Sequence, residues 1–164
     1  MNLPRGVLKA QGLNVRQFDS KKELDALSQD TFSGYVILSA FSEWGVDEGA
    51  LLFRTGQGVG SVFEYHGISK VVYGDASVSH FFNALAAQFG AVDVVELSLQ
   101  QVDLVLAFNA KLKLERPIPK GGVKSLVRSN YDSKLIQSIS DQKPEESQSK
   151  ESLFKKFGLA GIGR

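Results

Sequence analysis

The chain contains no cysteine, and only one methionine, one tryptophan, two histidines and four prolines in 164 residues. Without thiols there is no structural disulfide, no thiolate nucleophile and no cysteine-ligated zinc or iron–sulfur cluster. His66 and His80 leave little for a metal site. No run of about 18 apolar residues occurs, so no membrane-spanning helix is expected. The opening "MNLPRGVLKAQG" has no apolar stretch of signal length, and a cytoplasmic protein is expected. No Gly-x-Ser-x-Gly elbow is present. These absences point away from an enzyme, and neither a cofactor nor a metal is expected.

What is present suits a globular core. Hydrophobic residues make up 43% and charged residues 23%, and eleven phenylalanines supply bulk. Charge is unevenly spread. Residues 1–110 carry 7 basic and 12 acidic side chains, residues 111–164 carry 12 and 6. An acidic body with a basic C-terminal arm predicts contact with something anionic, another copy of the body included.

The pattern predicts an α+β fold: an antiparallel meander sheet packed against two or three helices, with a flexible C-terminal arm. Ser20, three residues before Glu23, has capping-box spacing and predicts a helix carrying Leu24 and Leu27. "FSGYVILSAF" is almost continuously apolar and predicts a strand buried on both faces or central in its sheet. "SEWGVDEG" reads as a polar connection. "ALLFR", "VGSVFEYHG" and "KVVYGD" read as further strands. "DASVSHFFNALAAQFG" predicts a helix through Val78, Phe81, Phe82, Leu85 and Phe89, closed by Gly90. "VDVVEL" follows as a strand, and Ser98 caps a helix ending at Asn109.

From residue 111 the composition changes. Residues 1–110 are expected as the folded domain, 111–149 as a basic and polar linker or arm, and 150–164 as a short amphipathic motif. The linker has too little apolar surface to offset the entropy of ordering.

Between two of the strands lies "RTGQGVGSVFEY". A phosphate-binding loop needs a helix after its glycines, whose free N–H groups meet the anion. Here a strand follows, no Gly-Lys-Ser/Thr occurs, and a hairpin turn is the expectation.

The residues Phe32, Gly34 and Tyr35, then Glu48, Gly49, Leu51, Leu52 and Phe53, then Gly56, Gly58 and Glu64, then Tyr73, Gly74, Asp75 and Ala76 form a series. It resembles an archaeal family of uncharacterised proteins, a domain of unknown function. It is similar, more distantly, to bacterial PATAN-type domains found beside response-regulator modules. Ala76 directly after the acid departs from that pattern. The resemblance covers about residues 3–110. It implies an α+β fold and an adaptor-like role, and carries no catalytic residue across.

Candidate chemistry is sparse. Asp47 and Glu48 form a carboxylate pair in what reads as a solvated turn beside Trp44. His66 closes a strand, and His80 lies on the Phe-rich helix. Lys120, Lys124 and Arg128 could hold phosphates, although aromatics for base stacking are missing around them. Ser152 can cap a short helix placing Leu153, Phe154 and Phe157 on one side, and with Leu159 these are the expected partner-binding residues. The first functional expectation is a non-catalytic interaction or adaptor module that binds a protein partner or itself. The alternatives are a nucleic-acid or ribosome-associated factor using the basic arm, and a small-ligand sensory domain.

Overall fold

A computed structural model describes residues 3–140. The chain divides into two compact units, Met1–Asp132 and Ser133–Arg164. The second is described over one short helix, α4, Lys134–Ser140.

In the first unit the elements run β1 (Val7–Asn14), α1 (Ser20–Gln29), β2 (Gly34–Ser42), β3 (Gly45–Arg54), β4 (Gln57–Tyr65), β5 (Lys70–Tyr73), α2 (Asp75–Ala84), β6 (Gly90–Glu96), α3 (Leu99–Phe108) and β7 (Lys113–Ile118). The seven strands form one antiparallel sheet, six of them in the order β1-β6-β2-β3-β4-β5 and β7 off that path. β7 pairs with β4 near Gly58 and Gly60, and β5 pairs with β4 further along, from Val62 to Tyr65. The α+β class and the β2–β5 meander are as expected.

The central strands are buried on both faces because helices cover both. Val102 and Val105 of α3 pack with Ala50, Leu52 and Val62. Phe81 of α2 packs instead over Gly49, beside Phe63. Alternate residues of β3 therefore meet different helices, as the two-residue period of a strand requires.

The glycine run is a hairpin. Arg54 faces Gln57 across a two-residue turn, and Thr55 and Gly56 both have positive φ, 49° and 82°. Two such residues match strand twist in a tight hairpin. The buried Ser28 hydroxyl anchors the turn by donating to the Gly56 carbonyl at 2.7 Å and accepting from the Gly121 N–H at 3.2 Å. At Val59 the register slips, so that Leu52 pairs Gly60 while Phe53 pairs Gly58. Val59 is the extra residue of a bulge.

Four local expectations shift. The α1 cap is Asp19, whose carboxylate accepts from the Lys22 N–H at 3.1 Å, and Ser20 is already helical. "SEWGVDEG" is mostly strand, since the β2–β3 turn is only Glu43–Trp44 and Gly45 already pairs with Ser42. α2 stops at Ala84, and Gly90 begins β6 because its backbone is captured by Ala40 of β2 and by the Val15 N–H. Phe89 is left 64% exposed.

The fourth shift concerns the arm expected from residue 111. Residues 113–118 are β7, and Leu112, Leu114, Ile118 and Val123 are buried within the first unit. The alternating apolar residues of "KLKLERPI" supply a face that β4 can bury, so the sheet extends beyond residue 110. The Asp75 carboxylate accepts from the Glu115 N–H at 2.9 Å and ties this strand to the start of α2. By contrast, the α3 cap is as expected: Ser98 and Gln101 make a reciprocal capping box at 3.2 and 2.9 Å.

Candidate functional site

Three features stand out around the sheet: a buried polar cluster under α2, a surface carboxylate–imidazole cluster on the β3–β4 hairpin, and an uncovered apolar face on α3.

The buried cluster begins at Asp47, which faces Tyr65 across β3 and β4. Asp47 is 2% exposed, and its Oδ1 has no hydrogen-bond partner. Burial raises its carboxyl pKa, against the lowering effects of a Ser42 hydrogen bond and the nearby His66. The Tyr65 hydroxyl lies 2.6 Å from His80 Nδ1. Burial first, and then the charge of Arg128, lower His80 to about 4. Burial also raises the Tyr65 phenol, with the Asp47 charge second. A protonated phenol beside a neutral imidazole means that Tyr65 donates and His80 accepts, leaving the ring proton on Nε2.

Residues just past Arg128 lie over this end of α2. The buried Asn83 amide donates to the Asp132 carbonyl at 3.0 Å and accepts from the Asp132 N–H at 2.8 Å. One side chain thereby does the work of one rung of a β-ladder. Tyr131 has its phenol raised by burial and by Asp47, Glu43 and Asp132. The cluster can hold a proton between Tyr65 and His80, away from bulk water.

On the surface, the bulge at Val59 sets Glu48 directly opposite Glu64. Like charges in that position repel. His66 lies between them, with Nε2 3.1 Å from Glu48 and Nδ1 3.7 Å from Glu64. One ligand atom from each residue fits within 4.8 Å of the others. Such a donor set of two carboxylates and an imidazole is one that divalent ions accept. The pairing was missed in the sequence, where Glu48 was weighed only with Asp47. Strand alternation separates those two: Asp47 is buried, while the Glu48 side chain is 37% exposed.

The third feature is apolar. On α3, Leu104 is 54% and Phe108 83% exposed. They lie one helical turn apart and so adjoin. With Pro4, Gln101, Val105 and Asn109 they line an open cleft of about 300 Å³. Elsewhere on α3, Asp103 receives Arg54 at 2.7 and 3.2 Å.

Of the expected cations, Lys120 lies by the Gly56 turn, Lys124 pairs with Asp25 of α1 at 2.7 Å, and Arg128 acts on His80. Leu153, Phe154, Phe157 and Leu159 lie outside the described residues. Among the described residues, no helix is long and apolar enough to cross a membrane.

These features define an α+β domain built on one antiparallel sheet with helices on both faces. The chain belongs to the family described as "uncharacterized protein conserved in archaea" (DUF2226), whose model matches residues 1–109. No curated protein and no solved structure matches the chain. The family match ends just after α3, before β7.

Proposed function

We propose that this chain is a non-catalytic, cytoplasmic interaction module that associates with itself. The observation that supports the reading is the Leu104–Phe108 face of α3. A phenylalanine 83% exposed on a regular helix forgoes roughly 1.5–3 kcal/mol of stabilisation that full burial would supply. Apolar groups lining a cleft together with Gln101 and Asn109 have the make-up of a contact surface.

The test is the mass of the full chain in solution, measured by light scattering across a concentration series. Association that weakens on Phe108→Asp supports the reading. A monomer at every concentration overturns it.

A small-ligand sensory role is the second reading, favoured by the unpartnered Asp47 Oδ1 beside Tyr65 and Tyr131. A ligand donating to that oxygen would raise the melting temperature, and Asp47→Asn would abolish the shift. A metabolite panel without a shift leaves this reading unsupported. The nucleic-acid reading rests on Lys120, Lys124 and Arg128, of which Lys124 is already paired with Asp25. It requires salt-dependent binding that Glu substitutions at all three remove.

A further inference from the structure

We propose that Glu48, Glu64 and His66 form a binding site for one divalent first-row transition-metal ion, with zinc the best match to the donors. The site lies on the β3–β4 hairpin and goes beyond the interaction role proposed above.

The donors come from a rigid frame. Glu48 is paired on both sides, with Ser39 of β2 and with Glu64 of β4. Glu64 is likewise paired on both sides, with Glu48 and with Val71 of β5. His66 opens the short 3-10 turn His66–Ile68, directly after Tyr65, which pairs with both Asp47 and Lys70. Gly67 lets that turn lie against the Trp44 carbonyl, which any side chain at this position would strike. Ligands carried on paired strands are held more precisely than ligands on loops.

Among the described residues this is the one group of three such side chains whose ligand atoms all lie within 4.8 Å of one another. A tetrahedral ion with bonds of roughly 2.1 Å sets its ligand atoms roughly 3.4 Å apart. Rotation about the χ angles of two partly exposed glutamates closes that difference.

The chemistry calls for a cation rather than a proton. Other surface acids of the sheet and helices meet ammonium or guanidinium groups: Glu96 meets Lys9, and Asp103 meets Arg54. Glu48 meets an imidazole and, across the ladder, a second carboxylate. A neutral imidazole has a single N–H and donates to only one of the two glutamates. A divalent ion engages both carboxylates and the imidazole lone pair together. The imidazole selects against magnesium and calcium, which prefer all-oxygen sites. Three protein ligands on a solvent-facing surface leave the fourth position to water.

A second observation lies behind the hairpin. Asp47 is buried, its Oδ1 has no partner, and the charge of His66 already reaches it. A cation held by His66 acts on that carboxylate in the same favourable sense, with twice the charge.

The sequence makes the test clean. The chain has two histidines and no cysteine, and His80 is buried with its Nδ1 on the Tyr65 hydroxyl. Zinc chloride is titrated calorimetrically into the full chain after chelator treatment, and histidine ring nitrogens are followed by NMR. Saturation at one ion per chain below about 100 μM zinc is expected, with the His66 ring shifting and His80 unmoved. Loss of even an outer partner of a ligand costs about 10–100-fold in affinity. His66→Gln, Glu48→Gln and Glu64→Gln are therefore each expected to weaken zinc at least roughly tenfold. Circular dichroism verifies that each variant folds. Magnesium chloride in the same titration should give no saturable binding. Zinc that binds only above that concentration or without fixed stoichiometry overturns the site. Binding that survives all three substitutions, or that moves His80 in place of His66, overturns it as well.

Discussion

α2 and α3 are both ten-residue helices packed against the same central strands, yet they meet opposite fates. α2 buries Ser77, His80, Phe81, Phe82, Asn83 and Ala84, while α3 buries only Val102 and Val105. The chain after α3 makes the difference. It returns over α2 as β7 and the residues up to Asp132, held by Asp75 and Asn83. A helix covered in this way must satisfy its polar groups internally, which Asn83 does with Asp132 and His80 with Tyr65. No such return among the described residues covers the Leu104–Phe108 side of α3, and its apolar side chains remain exposed. Coverage by later chain, rather than the composition of either helix, separates the buried helix from the exposed one.

The largest effect that would sharpen this contrast comes from truncating the two phenylalanines. Phe81→Ala opens a cavity beside Phe63 and should lower stability by about 3–5 kcal/mol. Phe108→Ala should change stability by no more than about 0.5 kcal/mol. Urea unfolding of both variants measures the gap, and similar losses would erase the distinction.

The next effect is at Asn83. Replacing it with Ala removes its two hydrogen bonds to the Asp132 backbone and should cost about 1–3 kcal/mol. Hydrogen exchange should quicken at residues 128–132 while α3 stays as before. Even loosening of the whole unit would mean that Asn83 supports the core rather than the covering segment.

The pH dependence is subtler, because His80 and Asp47 act in opposite senses. His80 is lowered to about 4 from an ordinary value near 6.5. Its contribution to stability is therefore complete above about 6.5 and is lost as pH falls toward 4. Asp47 is raised, so its contribution is complete below the ordinary carboxylate value and is lost as pH rises through its folded value. His80→Gln should flatten the acid side of the stability profile. Asp47→Asn should raise stability at neutral pH by removing a buried charge. A less stable Asp47→Asn variant would show that the carboxylate has a partner that outweighs its desolvation. The smallest effect is expected from Arg54→Ala on the α3 side. Its pair with Asp103 is exposed and screened, and the unfolding midpoint should not move measurably.

Much of the scaffold was legible in local chemistry. The Ser98–Gln101 capping box, the apolar run of β2 and the glycine after Thr55 each specify a local geometry through nearby atoms. Those signals act over a few residues, and the structure repeats them. β7 was harder to read, because its leucines and isoleucine sit among lysines and its partner strand lies more than fifty residues earlier. The end of α2 was misplaced for a related reason: Gly90 can stop a helix or start a strand, and pairing with Ala40 decides between them.

The candidate sites were the least legible part. Sequence alone determined that no thiol chemistry is available and that β2 to β5 run as a meander. Only the tertiary structure decided which side chains meet. Without the single extra residue at Val59, the hairpin count would place Glu48 opposite Phe63. With it, Glu48 meets Glu64 and Asp47 meets Tyr65. A strand points alternate side chains to opposite faces, so one residue of register moves an acid from one set of neighbours to another. At the bulge Gly58 lies against Ile118 and Gly60 against Leu106, contacts that span more than forty residues of sequence.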